Sequence, residues 1–271
     1  MAQPATVETP GSAESECGWQ EFFSHPQFPR FSAAILTPER TALEVSAIKG
    51  WLGLAPGSSV LDLGCGYGRI AVPLAASGCR LTGLDGNATL LDRAAGYAVE
   101  AGVAVTLIQC DMRDMAVVPH GFDAVINMST AFGYADSPDG DLATLASVHA
   151  VLKPGGVFLI DLENRDAKIR TARSASFEMA GVTIHCRREF DLLTGRWRET
   201  MSWSDNGVTD RSVFSVRLYS ATEIIDMFRR VGLELVRAWG WFDGAEYDID
   251  SRRMILLARR PPAGQPTPCM P

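Results

Sequence analysis

Asp62-Leu63-Gly64-Cys65-Gly66-Tyr67-Gly68-Arg69 sets a carboxylate and alternating glycines directly behind the apolar pair Val60-Leu61. A short apolar run of this kind reads as a parallel strand covered on both faces, and Ile70-Ala71-Val72-Pro73-Leu74-Ala75 reads as the helix after it. Strand, glycine loop and helix N-terminus together bring backbone N–H groups close to a ligand. A side chain at Gly64, Gly66 or Gly68 would obstruct that approach or strain the turn. The segment from Gly66 to Ala71 also satisfies the dinucleotide pattern G-x-G-x-x-G/A. Asp62 argues against a nicotinamide cofactor, because a carboxylate at the strand tip repels a pyrophosphate and attracts a sulfonium or ammonium group. The loop also lies well inside the chain, whereas dinucleotide domains often open with it.

Further carboxylates stand at comparable places. Arg80-Leu81-Thr82-Gly83-Leu84-Asp85 reads as a second strand, with Asp85 at its end. That is the spacing at which an acidic residue meets ribose hydroxyls, since two hydroxyls can donate to one carboxylate. Gly86 follows, and Asn87 caps a helix carried by Leu90, Leu91, Ala94 and Ala98. A third strand, residues 104–109, leads into Cys110-Asp111-Met112-Arg113, and a fourth, residues 122–128, contains Asn127. The loop 129–134 then leaves the carboxyl edge, where open α/β sheets hold their ligands, so Phe132 and Tyr134 are candidates for a substrate pocket. A helix is expected from about residue 141 to 152, then the turn Lys153-Pro154-Gly155-Gly156 and a fifth strand over residues 157–161. Glu163 and Asn164, just beyond, could reach a substrate amine or hydroxyl.

No unmistakable general base is present. The histidines are His25, His120, His149 and His185; His185 is the best imidazole, Glu163 and Asp161 the alternative carboxylates, and Tyr134 a hydrogen-bonding orienter. The cysteines have no metal spacing, so no metal is expected.

These residues need elements to position them. Thr37-Pro38-Glu39 starts a helix, with a capping hydroxyl and proline in the first turn. Upstream, Trp19, Phe22, Phe23, Phe28 and Phe31 either cap the edge of the sheet or form a lid over the ligand. Between residues 166 and 219 the βα rhythm breaks. Antiparallel strands are expected over 177–190, 195–204 and 211–219, with a hairpin signal at Asp205-Asn206-Gly207. Alternation puts Val182, Ile184 and Cys186 on one face and His185 and Arg187 on the other. Trp197, Glu199, Met201 and Trp203 share a face, as do Val213, Ser215, Arg217 and Tyr219. A last helix begins at Ser220, and two closing strands contain Trp241 and the run 253–259.

With 271 residues, the chain holds one large domain or a domain with an insertion. A net charge of −7 disfavours a long nucleic-acid footprint, which needs a basic face. The chain shows no basic-then-apolar opening and no apolar run of membrane-spanning length, so the expectation is a cytoplasmic protein with reduced thiols and no membrane partner. Residues 1–17 and 261–271 are expected to be disordered.

The segment from Asp62 to Gly68 resembles motif I of the class I S-adenosylmethionine (SAM)-dependent methyltransferases, and further motifs match in order over residues 37–261. Phe122-Asp123-Ala124-Val125 and the Lys-Pro-Gly-Gly turn are among them. The resemblance implies an α/β fold: a Rossmann-like, doubly wound, seven-stranded sheet with its last strand antiparallel. An inserted antiparallel β lid, residues 166–219, would interrupt a SAM-binding core of residues 18–165 and 220–260. By the same resemblance the cofactor SAM would be held by Arg40, Asp62, Gly64, Cys65, Gly66, Gly68, Asp85, Gly86, Asn87, Asp111, Met112 and Asn127. Arg40 would meet the methionine carboxylate, Asp111 the adenine amino group, the Met112 N–H a ring nitrogen, and Asn127 would lie beneath the methionine. The acceptor would be a small molecule lined by Phe132, Tyr134, Asn164, Trp197, Arg217, Tyr219 and Trp241, with Tyr134, Glu163 and His185 nearest the chemistry. Similar inserted sheets in sugar N-methyltransferases roof the pocket or form a homodimer contact. No Asn-Pro-Pro or Asp-Pro-Pro sequence follows the fourth strand, which counts against methylation of DNA bases or glutamine. The expected activity is methyl transfer to N, O or C of a small organic molecule in secondary (antibiotic) metabolism. The alternatives are a SAM-fold protein that transfers no methyl group and, less well supported, a nicotinamide oxidoreductase.

Overall fold

The computed structural model describes residues 18–264; the expectations for residues 1–17 and 265–271 lie outside the described residues. The chain opens with two short helices, α1 (Trp19–Ser24) and α2 (Phe28–Ile35), and then α3 (Pro38–Leu52). Alternation follows: β1 (Ser59–Leu63), α4 (Ala71–Ala76), β2 (Arg80–Asp85), α5 (Ala88–Glu100), β3 (Val105–Gln109), β4 (Phe122–Asn127), α6 (Pro138–Val151), β5 (Leu152–Glu163) and α7 (Arg165–Lys168). Four strands come next without a helix between them, β6 (Ala175–Met179), β7 (Val182–Asp191), β8 (Arg196–Asp205) and β9 (Val208–Arg217). The chain closes with α8 (Ala221–Arg230), β10 (Glu234–Trp239) and β11 (Arg253–Arg259).

Seven strands make one sheet in the order β10-β11-β5-β4-β1-β2-β3. The strands β1 to β5 run parallel, and β11 is antiparallel to both of its neighbours. This is the expected doubly wound sheet. Strand β1 is its hinge of topology, pairing with β2 on one side and β4 on the other. At such a switch point the flanking connections leave in opposite directions and open a crevice. Alternation along the strands feeds two cores. Leu61, Leu63 and Val125 pack with Leu145, Val148, Ile224 and Phe228 of α6 and α8. Val60, Ala124 and Ile126 pack on the opposite face with Ile48, Ala71 and Leu74 of α3 and α4.

Local chemistry sets the helix starts. The Thr37 hydroxyl accepts from Arg40 N–H, and the Ser137 hydroxyl from Gly140 N–H. Ser220 and Glu223 form a reciprocal capping box. The cap at Ser137, with proline behind it, starts α6 three residues before the expected position. Strand β5 begins at Leu152 rather than Val157, because Leu152 already pairs with Phe122; the Lys-Pro-Gly-Gly segment bulges out before pairing resumes at Val157 and Ala124.

The inserted sheet has the order β6-β7-β8-β9. The single strand expected over 177–190 is in fact a hairpin. Ala180 and Gly181 both take positive φ, 50° and 80°, and reverse the chain between β6 and β7, a turn that matches the twist of the strands. Asn206 and Gly207 do the same between β8 and β9, at φ 51° and 79°. Val182, Ile184 and Cys186 are buried, with Phe31 and Trp203 in the same cluster.

Candidate active site

The glycine loop begins where Gly64 and Cys65 both donate N–H bonds to the Leu84 carbonyl, at 2.8 and 2.9 Å. That double bond lifts the chain off β1 over β2. Gly64 has φ 78°, and a Cβ there would stand 2.7 Å from Ala131 Cβ; only glycine serves both conditions. One turn on, Gly66 N–H donates to Asp85 Oδ2 at 2.8 Å, and Asn87 N–H to Asp85 Oδ1 at 2.9 Å. Burial pushes the Asp85 carboxyl up, against these N–H donations. Asp62 is buried at the tip of β1. Burial raises its carboxyl to about 7, with the Asp85 charge adding and Arg69 opposing. Asp111 is held below the usual carboxylate range by two bonds from the Arg113 guanidinium, at 2.9 and 2.7 Å.

Asp62, Asp85 and Asp111 line one wall of a cleft that also includes Gly64, Cys65, Gly66, Gly86 and Met112. The cleft holds about 1050 Å³ counted out to its mouth, the scale of sites for cofactor-sized ligands. Trp19, Phe23 and Phe28 cover it. Trp19 lies so close over Gly86 that a Cβ there would meet the indole at 2.4 Å. Asn87 Nδ2 donates to Ser24 Oγ at 2.9 Å, tying α1 to the donor side. From the same two helices, Phe22 packs on Phe214 and Phe31 on Trp203 of the inserted sheet. The aromatic stretch is therefore divided: some rings cover the cleft, and others anchor the cover to the insertion.

The far wall comes from the loop after β4 and from α6. Tyr134 lines the cleft beside Phe23, with ring centroids 5.7 Å apart. Burial and the Glu163 charge push its phenol up, which keeps the hydroxyl protonated. Asp141 and Thr144 of α6 also line the cleft. Asp141 is buried and accepts from Tyr219 OH at 2.6 Å and Ala135 N–H at 3.3 Å. Arg217 N–H donates to the Gly133 carbonyl at 2.8 Å, so the end of β9 pins this loop.

Of the residues expected to hold the donor, Asp62, Gly64, Cys65, Gly66, Asp85, Gly86, Asp111 and Met112 meet at one wall. Gly68, Asn87, Arg40 and Asn127 stand behind it. Gly68 permits close approach to Val72 and Ala94, and Asn87 caps α5. Arg40 pairs with Glu44 at 2.7 Å and faces Trp241; Arg69, which the sequence reading passed over, lines the cleft in its stead. Asn127 Nδ2 donates to the Leu63 carbonyl, while its buried Oδ1 has no partner.

On the acceptor side only Tyr134 lines the cleft. Phe132 is buried against Tyr219. Asn164 is spent on structure, with its Nδ2 donating to the carbonyls of Asp248, Ile249 and Ser251. Trp197 is fully buried, its indole N–H on Glu199. Arg217 and Tyr219 reach Asp141 and do not themselves line the cleft, and Trp241 carries the Arg40 and Arg252 guanidinium groups over its ring. Glu163 is no free base. Burial raises its carboxyl, but Arg253 and Lys168 outweigh that and hold it low. His185 is exposed and bonds Ser176 at 2.8 Å. Tyr67, Met128, Ser129, Asp141 and Thr144 line the cleft without having been singled out; only Tyr67 carried a signal, inside the glycine loop.

The donor set fits SAM. Carboxylates at the tips of successive strands suit a sulfonium and a ribose, and the glycine bend leaves room where a Cβ would intrude. Sheet order and site together define an α/β methyltransferase. A Methyltransferase domain profile matches residues 60–156. The Bacillus subtilis protein named "Putative methyltransferase YqeM" is 33% identical over 219 residues, 74% of this chain and 83% of that one. The chain belongs to the class I SAM-dependent methyltransferases. Among solved structures, the CcbJ methyltransferase of Streptomyces caelestis superposes with a TM-score of 0.73 at 20% identity, covering 83% of this chain and 96% of that chain. SAM-bound CalS10 of Micromonospora echinaspora gives 0.59 at 21%, covering 82% and 90%. Among the described residues no helix is long and apolar enough to cross a membrane, and no three His, Cys, Asp or Glu side chains are grouped to hold a metal ion.

Proposed function

We propose that this enzyme methylates an N, O or C atom of a small organic molecule in secondary metabolism. One observation carries the reading: a single cleft joins a carboxylate wall at the tips of β1 and β2 to an aromatic wall of Phe23, Phe28 and Tyr134. When bound, SAM supplies a methyl group already activated on sulfur, so the chemistry is a displacement along one line. The protein's own task is to hold and align. Asp85 would accept from the ribose hydroxyls, Asp111 from the adenine amino group, and the Met112 N–H would meet a ring nitrogen. Asp62 would face the cationic end. Tyr134 would orient the acceptor by donating from its hydroxyl. Such alignment can be worth roughly 7–11 kcal/mol, and the aromatic cover excludes water from the reacting atoms. CalS10, described as an amino pentose methyltransferase involved in calicheamicin biosynthesis, supports a biosynthetic setting and an amino-sugar acceptor class.

The test is calorimetric titration with SAM, S-adenosylhomocysteine and NAD, followed by a panel of amino sugars and phenols scored for S-adenosylhomocysteine formation. SAM binding with turnover on a panel member is expected. Binding of NAD in preference to SAM would overturn the reading.

A further inference from the structure

Ser129 and Thr130 are consecutive non-glycine residues at φ 57° and 60°. Left-handed backbone at a β-branched threonine is unfavourable and persists only where the surroundings enforce it. Here the enforcement is explicit. Ser129 N–H donates to Asp161 Oδ2 at 2.9 Å, and Thr130 N–H to the Asp161 carbonyl at 2.9 Å. Arg253 then locks the assembly. Its Nε donates to Asp161 Oδ1 at 2.7 Å, its Nη2 to Thr130 Oγ1 at 2.8 Å, and its Nη1 to Glu163 Oε1 at 2.9 Å. Asp161 is fully buried and Arg253 nearly so. From the cleft side, Arg69 Nη2 donates to Ser129 Oγ at 2.9 Å.

The direction of these bonds matters. Every peptide here is trans, so each carbonyl points opposite to the N–H that follows it. With the Ser129 and Thr130 N–H groups turned to Asp161 on β5, the Met128 and Ser129 carbonyls turn the other way. Strand β4 lies between β5 and β1, so they turn toward the side of Asp62 and the glycine loop. Met128 and Ser129 both line the cleft.

We propose that Arg253, acting through Asp161, is a positioning residue that holds Ser129 and Thr130 in their left-handed conformation and thereby aims the Met128 and Ser129 carbonyls into the cleft as acceptors for N–H groups of the bound donor. The inference rests on the donor-binding reading above. It predicts that donor affinity depends on a side chain outside the cleft wall, because the strained turn relaxes once the lock is removed.

The test measures the Kd of S-adenosylhomocysteine by calorimetry, thermal melting, and amide exchange at Ser129 and Thr130. The proteins are wild type, Arg253→Met, Thr130→Val, and the double variant Arg253→Met/Thr130→Gly. Arg253→Met should weaken binding about tenfold or more and speed exchange at both amides. In that background Thr130→Gly should recover part of the affinity, about threefold, because glycine adopts positive φ without penalty. Thr130→Val keeps the charged pair and deletes only the hydroxyl, so it reports the same loss if Arg253→Met does not fold. A merely structural role would lower the melting temperature without rescue by glycine, and that result overturns the proposal. So does an unchanged Kd in either folded single variant. Failure of the wild type to bind S-adenosylhomocysteine would instead overturn the donor-binding reading.

Discussion

The wall built on Asp62, Gly64, Asp85 and Asp111 and the wall built on Phe23, Tyr134 and Asp141 draw their parts from very different stretches of chain. The residues of the first wall sit at or just beyond the ends of three strands, Asp62 and Gly64 at β1, Asp85 at β2 and Asp111 at β3, and parallel pairing of neighbouring strands brings the ends together. Residues of the second come from α1, the loop after β4 and α6, and they are held by contacts with β8, with β9 and with Tyr219 just beyond it. A wall made of strand tips takes its geometry from the sheet and from short local bonds, such as those from Arg113 to Asp111. A wall made of loops needs remote side chains to hold it, and most residues near it serve as supports.

The contrast can be broken or sharpened by mutation. The largest effect is expected at Asp85. Asp85→Ala should weaken S-adenosylhomocysteine binding by about 1.5–3 kcal/mol, from lost hydrogen bonds to a charged acceptor; calorimetry on the folded variant checks it. Tyr134→Phe should instead leave that affinity unchanged and slow turnover about tenfold, the worth of one orienting hydrogen bond. Steady-state kinetics separates the two walls. If both variants changed donor affinity equally, the division would be wrong.

A smaller effect concerns pH. The folded carboxyl of Asp62 titrates near 7, above the value of about 3.9 for an unfolded chain. Between those values the folded state binds more protons, so this group's contribution to stability falls as pH rises from about 4 to 7 and is level beyond. Asp62→Asn should flatten that part of the profile, as followed by melting temperature. SAM should also gain affinity relative to S-adenosylhomocysteine as pH rises through 7, since both carry the ammonium group but only SAM carries the sulfonium charge. Least of all, His185→Ala should change turnover less than about threefold and stability by no more than about 0.5 kcal/mol, as for surface substitutions.

The same contrast explains what could be read in the sequence. The glycine loop and Asp85 announce themselves by spacing along one strand-loop unit each, whereas the seven-stranded sheet and the place of Asp111 follow from the resemblance to the class I methyltransferases. The short hairpin at Ala180 and Gly181 was hidden, because an apolar run on both sides of a small turn looks like one long strand. Asn164, Trp197 and Arg217 have the chemistry of ligand-binding residues, yet burial assigns each to packing or to backbone carbonyls. Asp141 lines the cleft from inside an ordinary helical pattern, and nothing local distinguishes it from a first-turn acid. Ser129 and Thr130 lie unremarked in a loop; their shape comes from Asp161 and Arg253, which stand far along the chain.

Trp19 resting on Gly86 while Phe22 rests on Phe214 has a kinetic corollary. Both rings belong to α1, so the helix that covers the donor's side of the cleft is the one braced on the insertion, and one contact does not open without straining the other. Exchange of spent donor for fresh would then work against the contact with the insertion, and a bulkier residue at position 86, by pushing Trp19 aside, would loosen the cover.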